Sequence, residues 1–145
     1  MSAEAEPRIV LHLDPGLPSV STDAERFRTA LVNILANARQ AVAGRGPQTP
    51  PVELRTSLED GRVSVIVADH GTGIEARDLP RVFDPYFTTR RTGTGLGLAI
   101  SKNIVEALGG FISVTSRAGE GTTVHIDLPG PAAEAPFAGV SAASR

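Results

Sequence analysis

Apolar and polar positions change period several times along the chain. Arg8 to Leu13, mostly apolar, reads as a first strand, ended by the turn formers Asp14-Pro15-Gly16. Phe27, Leu31, Ile34, Leu35, Ala38 and Val42 then recur at helical spacing. They predict a long amphipathic helix that Thr22 or Asp23 caps and that Gly44, Gly46 and Pro47 stop. Val52 to Leu58 and Arg62 to Ala68 read as strands, and Glu59-Asp60-Gly61 between them is a hairpin signal. Leu96, Ile100, Ile104 and Leu108 predict a second helix, starting near Gly95 and stopped by Gly109-Gly110. Phe111 to Ser116 and Thr122 to Leu128 form a second hairpin around Ala118-Gly119-Glu120-Gly121. Five strands and two long helices in this order suit a two-layer α/β sandwich, its sheet covered on one face by helices. We expect one domain over residues 8–129, a flexible N-terminus over 1–7 and a disordered Ala/Pro-rich tail over 130–145.

Composition narrows the classes. A chain of 145 residues buries a real core as one domain. Its formal net charge of −2 argues against a surface that coats nucleic acid. The absence of cysteine excludes disulfides, thiolate metal sites and a thiolate nucleophile. His12, His70 and His125 are too scattered for a zinc motif. With no membrane-length apolar run and no signal-peptide pattern, the expectation is a soluble cytoplasmic domain without direct membrane contact, whose parent protein is free to be tethered.

Candidate chemistry concentrates in four places. Asn33 and Asn37 lie four apart on the first helix, on a face read as roughly opposite Leu31, Ile34 and Ala38. Their amide oxygens suit a hard cation such as Mg²⁺, or simply a solvated helix face. Asp69, at the end of a strand and followed by Gly71 and Gly73, has two readings. It is an acceptor for an exocyclic amine, which selects adenine over a keto base, or an ordinary turn aspartate. Arg90 and Arg91 sit on the expected cover, as phosphate ligands or as plain surface charge, while Phe83 and Phe87 pin that cover to the body. Tyr86 stays unassigned. Gly93, Gly95 and Gly97 precede a helix whose free amides Thr94 caps. Such a glycine loop at a helix N-terminus is a cradle for phosphate, or only a loop with a close helix–sheet contact.

Taken together, these stretches resemble the catalytic ATP-binding domain of bacterial sensor histidine kinases. That domain belongs to the wider superfamily of gyrase, heat-shock chaperone, histidine kinase and mismatch-repair ATPases. Asn33-Ile-Leu-Ala-Asn37-Ala looks like the N box, and Asp69-His-Gly-Thr-Gly73-Ile like the first glycine box. Phe83-Asp-Pro-Tyr-Phe-Thr-Thr-Arg90 is similar to the F box, and Gly93-Thr-Gly-Leu-Gly-Leu98 to the second glycine box. Gly119-Glu-Gly-Thr122-Thr-Val, with Leu128-Pro129, fits the family's last hairpin, so the likeness runs from about Val10 to Pro129.

The resemblance implies a Bergerat-type fold with a mixed five-stranded sheet. It implies ATP and Mg²⁺ as ligands, with Asn37 the main Mg²⁺ ligand and Asn33 assisting at metal or phosphate. Asp69 would bind the adenine amine, with Thr122 in support, and Gly71, Gly73 and Ile74 would shape the base pocket. Arg90 stands where the nitrogen-regulation subgroup often has a phosphate-contacting lysine. Gly93, Thr94, Gly95, Leu96, Gly97 and Leu98 would form the lid hinge and the start of the phosphate-binding helix. In two departures, Gln40-Ala41 replaces a frequent Lys-Tyr, and Leu108 replaces the histidine of a frequent His-Gly-Gly.

None of the three histidines has the helical context of a phosphoacceptor, so all three read as structural or surface residues. The implied activity is then transfer of the ATP γ-phosphate to a histidine on a separate dimerisation domain, with a response regulator as the indirect partner. The chain reads as a fragment or a stand-alone module lacking that domain. Asn33, an amide where hydrolysing relatives carry a glutamate base, cannot deprotonate water and so disfavours rapid hydrolysis. The rival readings are a serine kinase of the anti-sigma type, a self-sufficient ATPase and a nucleotide-free docking module.

Overall fold

A computed structural model of the chain describes residues 8–15, 23–43, 45–46, 48–87 and 97–130. Its elements are β1 (Ile9–His12), α1 (Ala24–Val42), β2 (Val52–Glu59), β3 (Arg62–Asp69), a 3-10 turn (Leu79–Arg81), α2 (Gly97–Ala107), β4 (Phe111–Arg117) and β5 (Gly121–Pro129). They form one five-stranded sheet in the order β1-β2-β3-β5-β4. The β1–β2 pair is parallel and the other three pairs are antiparallel, so the sheet is mixed, as expected.

Local chemistry explains the boundaries. The Asp23 carboxylate accepts from the Arg26 amide at 3.2 Å and caps α1. Thr22, the alternative cap, and Gly44 and Pro47, two of the expected stops, lie outside the described residues. The first hairpin turns through Asp60 (φ 54) and Gly61 (φ 78), two successive left-handed residues as a type I′ turn requires. A Schellman motif closes α2: the Gly110 amide bonds the Val105 carbonyl at 2.9 Å and the Gly109 amide bonds that of Glu106 at 3.0 Å. Gly109 stands at φ 87, where a side chain would be strained. β1 is shorter than expected, since Arg8 and Leu13 fall outside it. The second hairpin is longer by Arg117 on one strand and by Gly121 and Pro129 on the other.

The core lies between the helices and one face of the sheet. Val52, Leu54, Val63, Val65, Val67, Val124, Ile126 and Leu128 alternate along their strands and meet Ala30, Ile34, Ala38 and Val42 of α1 and Val105 of α2. The expected stripe holds, with Phe27, Leu31 and Leu35 partly buried at its rim. Leu108 packs against the same core. Ser101, fully buried on α2, donates to the Ala30 carbonyl at 3.1 Å and ties the two helices together.

The other sheet face is polar. Arg62 pairs with Asp127 and lies over the Phe111 ring, 5.6 Å from its centroid. Ser64 and His125 hydrogen-bond each other at 2.8 Å on the neighbouring strands. His12 and His70 are exposed, so all three histidines are surface or structural groups.

Candidate functional site

Asp69 is the last residue of β3 and is nearly buried, at 8 % exposure. The register sets it opposite Thr122 of β5, and Thr122 in turn opposite Ser116 of β4. One carboxylate oxygen accepts from the Gly71 amide at 2.8 Å and from the Thr122 amide at 3.2 Å. The carboxylate is therefore fixed in direction by one backbone amide of the following loop and one of β5. Gly121 brings β5 close at this point: a Cβ there would run into the Asp69 carbonyl.

The loop after Asp69 is held from both sides by backbone. Thr72 donates its amide to the Ala41 carbonyl at 3.1 Å and accepts from the Gly119 amide at 2.7 Å. Gly71 lies so near the end of α1 that a Cβ would strike the Ala41 carbonyl. Gly73 takes φ 72, and a Cβ there would strike the Arg117 carbonyl. Both glycines are thus required by close approach, and Gly73 by conformation as well. The Arg45 guanidinium adds a hydrogen bond to the Gly119 carbonyl at 3.2 Å.

Ser116 escaped the sequence reading. Its hydroxyl accepts from the Ile74 amide at 2.8 Å, donates to the Gly121 carbonyl at 2.8 Å and meets the Thr122 hydroxyl at 2.8 Å. A serine at a core-facing position, after Ile112 and Val114 in an alternating strand, was the available signal.

Asn33 and Asn37 correct one expectation. Neither stands opposite the apolar stripe: both are half-buried on its flank, while Val32, Ala36 and Gln40 are exposed. Asn37 faces the first residue of α2, its amide nitrogen 3.4 Å from where a Gly97 Cβ would sit. A side chain at Gly97 would crowd that amide. Asn37 and Ala41 lie four apart, so one strip of α1 meets the start of α2 at Asn37 and the Asp69 loop at Ala41. Ala41 is buried against Gly71, where a bulky aromatic has no room without moving the loop.

Among the described residues no cluster of three His, Cys, Asp or Glu side chains gathers to hold a metal. Amide oxygens such as those of Asn33 and Asn37 still fit a hard cation that takes its other ligands from phosphate and water. Leu98 packs on the core. Phe83 is half-buried, with the Lys102 ammonium 5.7 Å from its ring centroid. Phe87 is likewise half-buried, under the Arg81 guanidinium at 4.7 Å. Tyr86 is 75 % exposed, with a left-handed φ of 68 that bulky residues rarely adopt. Arg90, Arg91, Gly93, Thr94, Gly95 and Leu96 lie outside the described residues, and so does the expected helix start at Gly95.

Among solved structures, the chain is similar to full-length ShkA in complex with AMPPNP. The TM-score is 0.73 and the identity 32%, covering 84% of this chain and 25% of that one. It is also similar to the mycobacterial sensor histidine kinase MprB, with a TM-score of 0.71 and 30% identity over 85% of this chain and 81% of that one. Among curated proteins, sensor histidine kinase ZraS of Escherichia coli is 42% identical over 113 residues, which is 78% of this chain and 23% of ZraS. The chain thus spans about a quarter of the length of such relatives. Residues 22–132 match the model of the histidine kinase-, DNA gyrase B- and HSP90-like ATPases. With that match over most of its length, and with the mixed sheet and the Asp69 glycine loop in place, the chain belongs to this ATPase family.

Proposed function

We propose that the chain binds ATP with Mg²⁺ and presents the γ-phosphate to a histidine on a dimerisation domain, in its parent protein or in trans, for relay to a response regulator. The observation that carries this reading is the Asp69 carboxylate, nearly buried and aimed by the Gly71 and Thr122 amides. Such a carboxylate accepts from the exocyclic amine of adenine and opposes a keto oxygen in the same place. Thr122 supports it, and Gly71, Gly73 and Ile74 line the base. Gly97 and Leu98 open α2, whose N-terminal end favours phosphate. Arg90, with Gly93, Thr94, Gly95 and Leu96, completes the phosphate side in this proposal.

Asn37, with Asn33 in support, holds the Mg²⁺. The ion, when bound, neutralises phosphate charge. Transfer of this kind depends on positioning and charge neutralisation more than on covalent work by the protein. Asn33 is an amide and does not act as a general base toward water, so the domain turns ATP over slowly by itself.

Calorimetric titration of the 145-residue chain with AMPPNP, with and without Mg²⁺, tests the reading. Wild type binds, more tightly with the metal. Asn37→Ala loses most of that Mg²⁺ enhancement, roughly tenfold, and keeps the metal-independent binding. Wild type that shows no heat of binding at millimolar nucleotide would leave a docking role instead.

A further inference from the structure

The geometry points to Ser116 as a positioning residue that fixes the direction of the Thr122 hydroxyl, making it a second acceptor beside Asp69 and sharpening selection for a base that carries an amino group. This rests on the nucleotide-binding reading above. The Ser116 hydroxyl has one proton and three polar neighbours. The Ile74 amide can only donate to it, and the Gly121 carbonyl can only accept from it. With its single proton on the Gly121 carbonyl, Ser116 has only a lone pair for Thr122. The hydroxyl–hydroxyl contact at 2.8 Å must then be made by the Thr122 proton. This assignment is the one that satisfies all three contacts.

The Thr122 oxygen consequently turns lone pairs, not its proton, toward anything else it meets. It lies on the same cross-strand row as Asp69, whose carboxylate also only accepts when ionised. Two acceptors side by side suit an amino group, or a water that spends its protons on protein and base. They oppose a keto oxygen. Ser116 thus acts through Thr122, from a half-buried position on β4.

The test compares ADP with IDP, its 6-keto counterpart, by calorimetry on the full chain. Wild type prefers ADP. Ser116→Ala frees the Thr122 proton to rotate, and the ADP-to-IDP affinity ratio falls about five- to tenfold, the worth of one hydrogen bond. Thr122→Val lowers the ratio similarly, and the double variant lowers it no further. Ser116→Thr, which keeps the hydroxyl, keeps the ratio. A Ser116→Ala variant that weakens both nucleotides equally, or effects that multiply in the double variant, would overturn the proposal.

A ligand-free readout separates this from the nucleotide reading. In wild type the Thr122 hydroxyl proton exchanges slowly enough for NMR detection, and Ser116→Ala abolishes its signal. A Thr122 proton already in fast exchange in wild type rejects the role of Ser116, whatever the chain binds. Failure of wild type to bind either nucleotide, with the hydroxyl signal present, rejects the selectivity and the nucleotide site together while leaving the proton assignment standing.

Discussion

Asp69→Asn is expected to lower nucleotide affinity at least a hundredfold while the domain stays folded. The remaining amide oxygen can still accept from the Gly71 and Thr122 amides, which now bond one carboxylate oxygen at 2.8 and 3.2 Å. The local loop is therefore preserved. What changes is the other position, where an N–H₂ donor replaces an acceptor. An adenine amine then faces a donor instead of an anion, in a site 8 % exposed where water cannot compensate. Mispairing of this kind at a desolvated site costs two or more orders of magnitude in binding. Calorimetry with AMPPNP beside a thermal melt checks it. A variant with the melting temperature of wild type and no detectable binding is the expected result, and wild-type affinity would remove Asp69 from the site.

Gly73→Ala is expected to have the largest effect on stability, about 3 kcal/mol or more. Two penalties combine: a left-handed backbone that disfavours a side chain, and a Cβ driven into the Arg117 carbonyl. Neither relaxes alone, because the Gly119 amide bonds the Thr72 carbonyl at 2.7 Å and clamps the loop to the hairpin. For a domain of this size the melting temperature falls by about 10 °C or more. Gly119→Ala is the matched control. It shares a positive φ of 81 but meets nothing within 4 Å, so only the backbone penalty of about 1 kcal/mol applies. Equal melting shifts for the two variants would show that close approach at Gly73 contributes nothing.

What was legible in the sequence was local. Asp60-Gly61 announced its hairpin because its turn chemistry is contained in two residues, and Gly109-Gly110 announced the end of α2 for the same reason. The core stripe of α1 was legible because its period is short-range. Asn33 and Asn37 were misplaced because α1 packs on two partners, the sheet and α2, so its covered arc is wider than its apolar residues. A polar residue on that flank looks solvent-facing until the second partner is placed. Ser116 was missed because its three partners come from the Ile74 loop and from β5, and only the fold assembles them. Ala41 shows the reverse case. Its departure from the usual aromatic was visible, but its reason, the near contact with Gly71, was not.

The four-residue edge strand β1 gives the domain an uneven mechanical character. It joins the sheet through one parallel neighbour, with register from Ile9–Val52 to His12–Arg55, while Asp69 and Thr122 lie on interior strands. Tension applied at the N-terminal side therefore loads the weakest ladder first. The edge can detach as a subglobal opening without disturbing the carboxylate or its hydroxyl neighbours. Native-state hydrogen exchange should show residues 9–12 opening well before residues 63–68, with nucleotide protecting the second group and leaving the first unchanged. The domain is thus able to yield at its N-terminal edge while the strands that carry Asp69 and Thr122 stay paired.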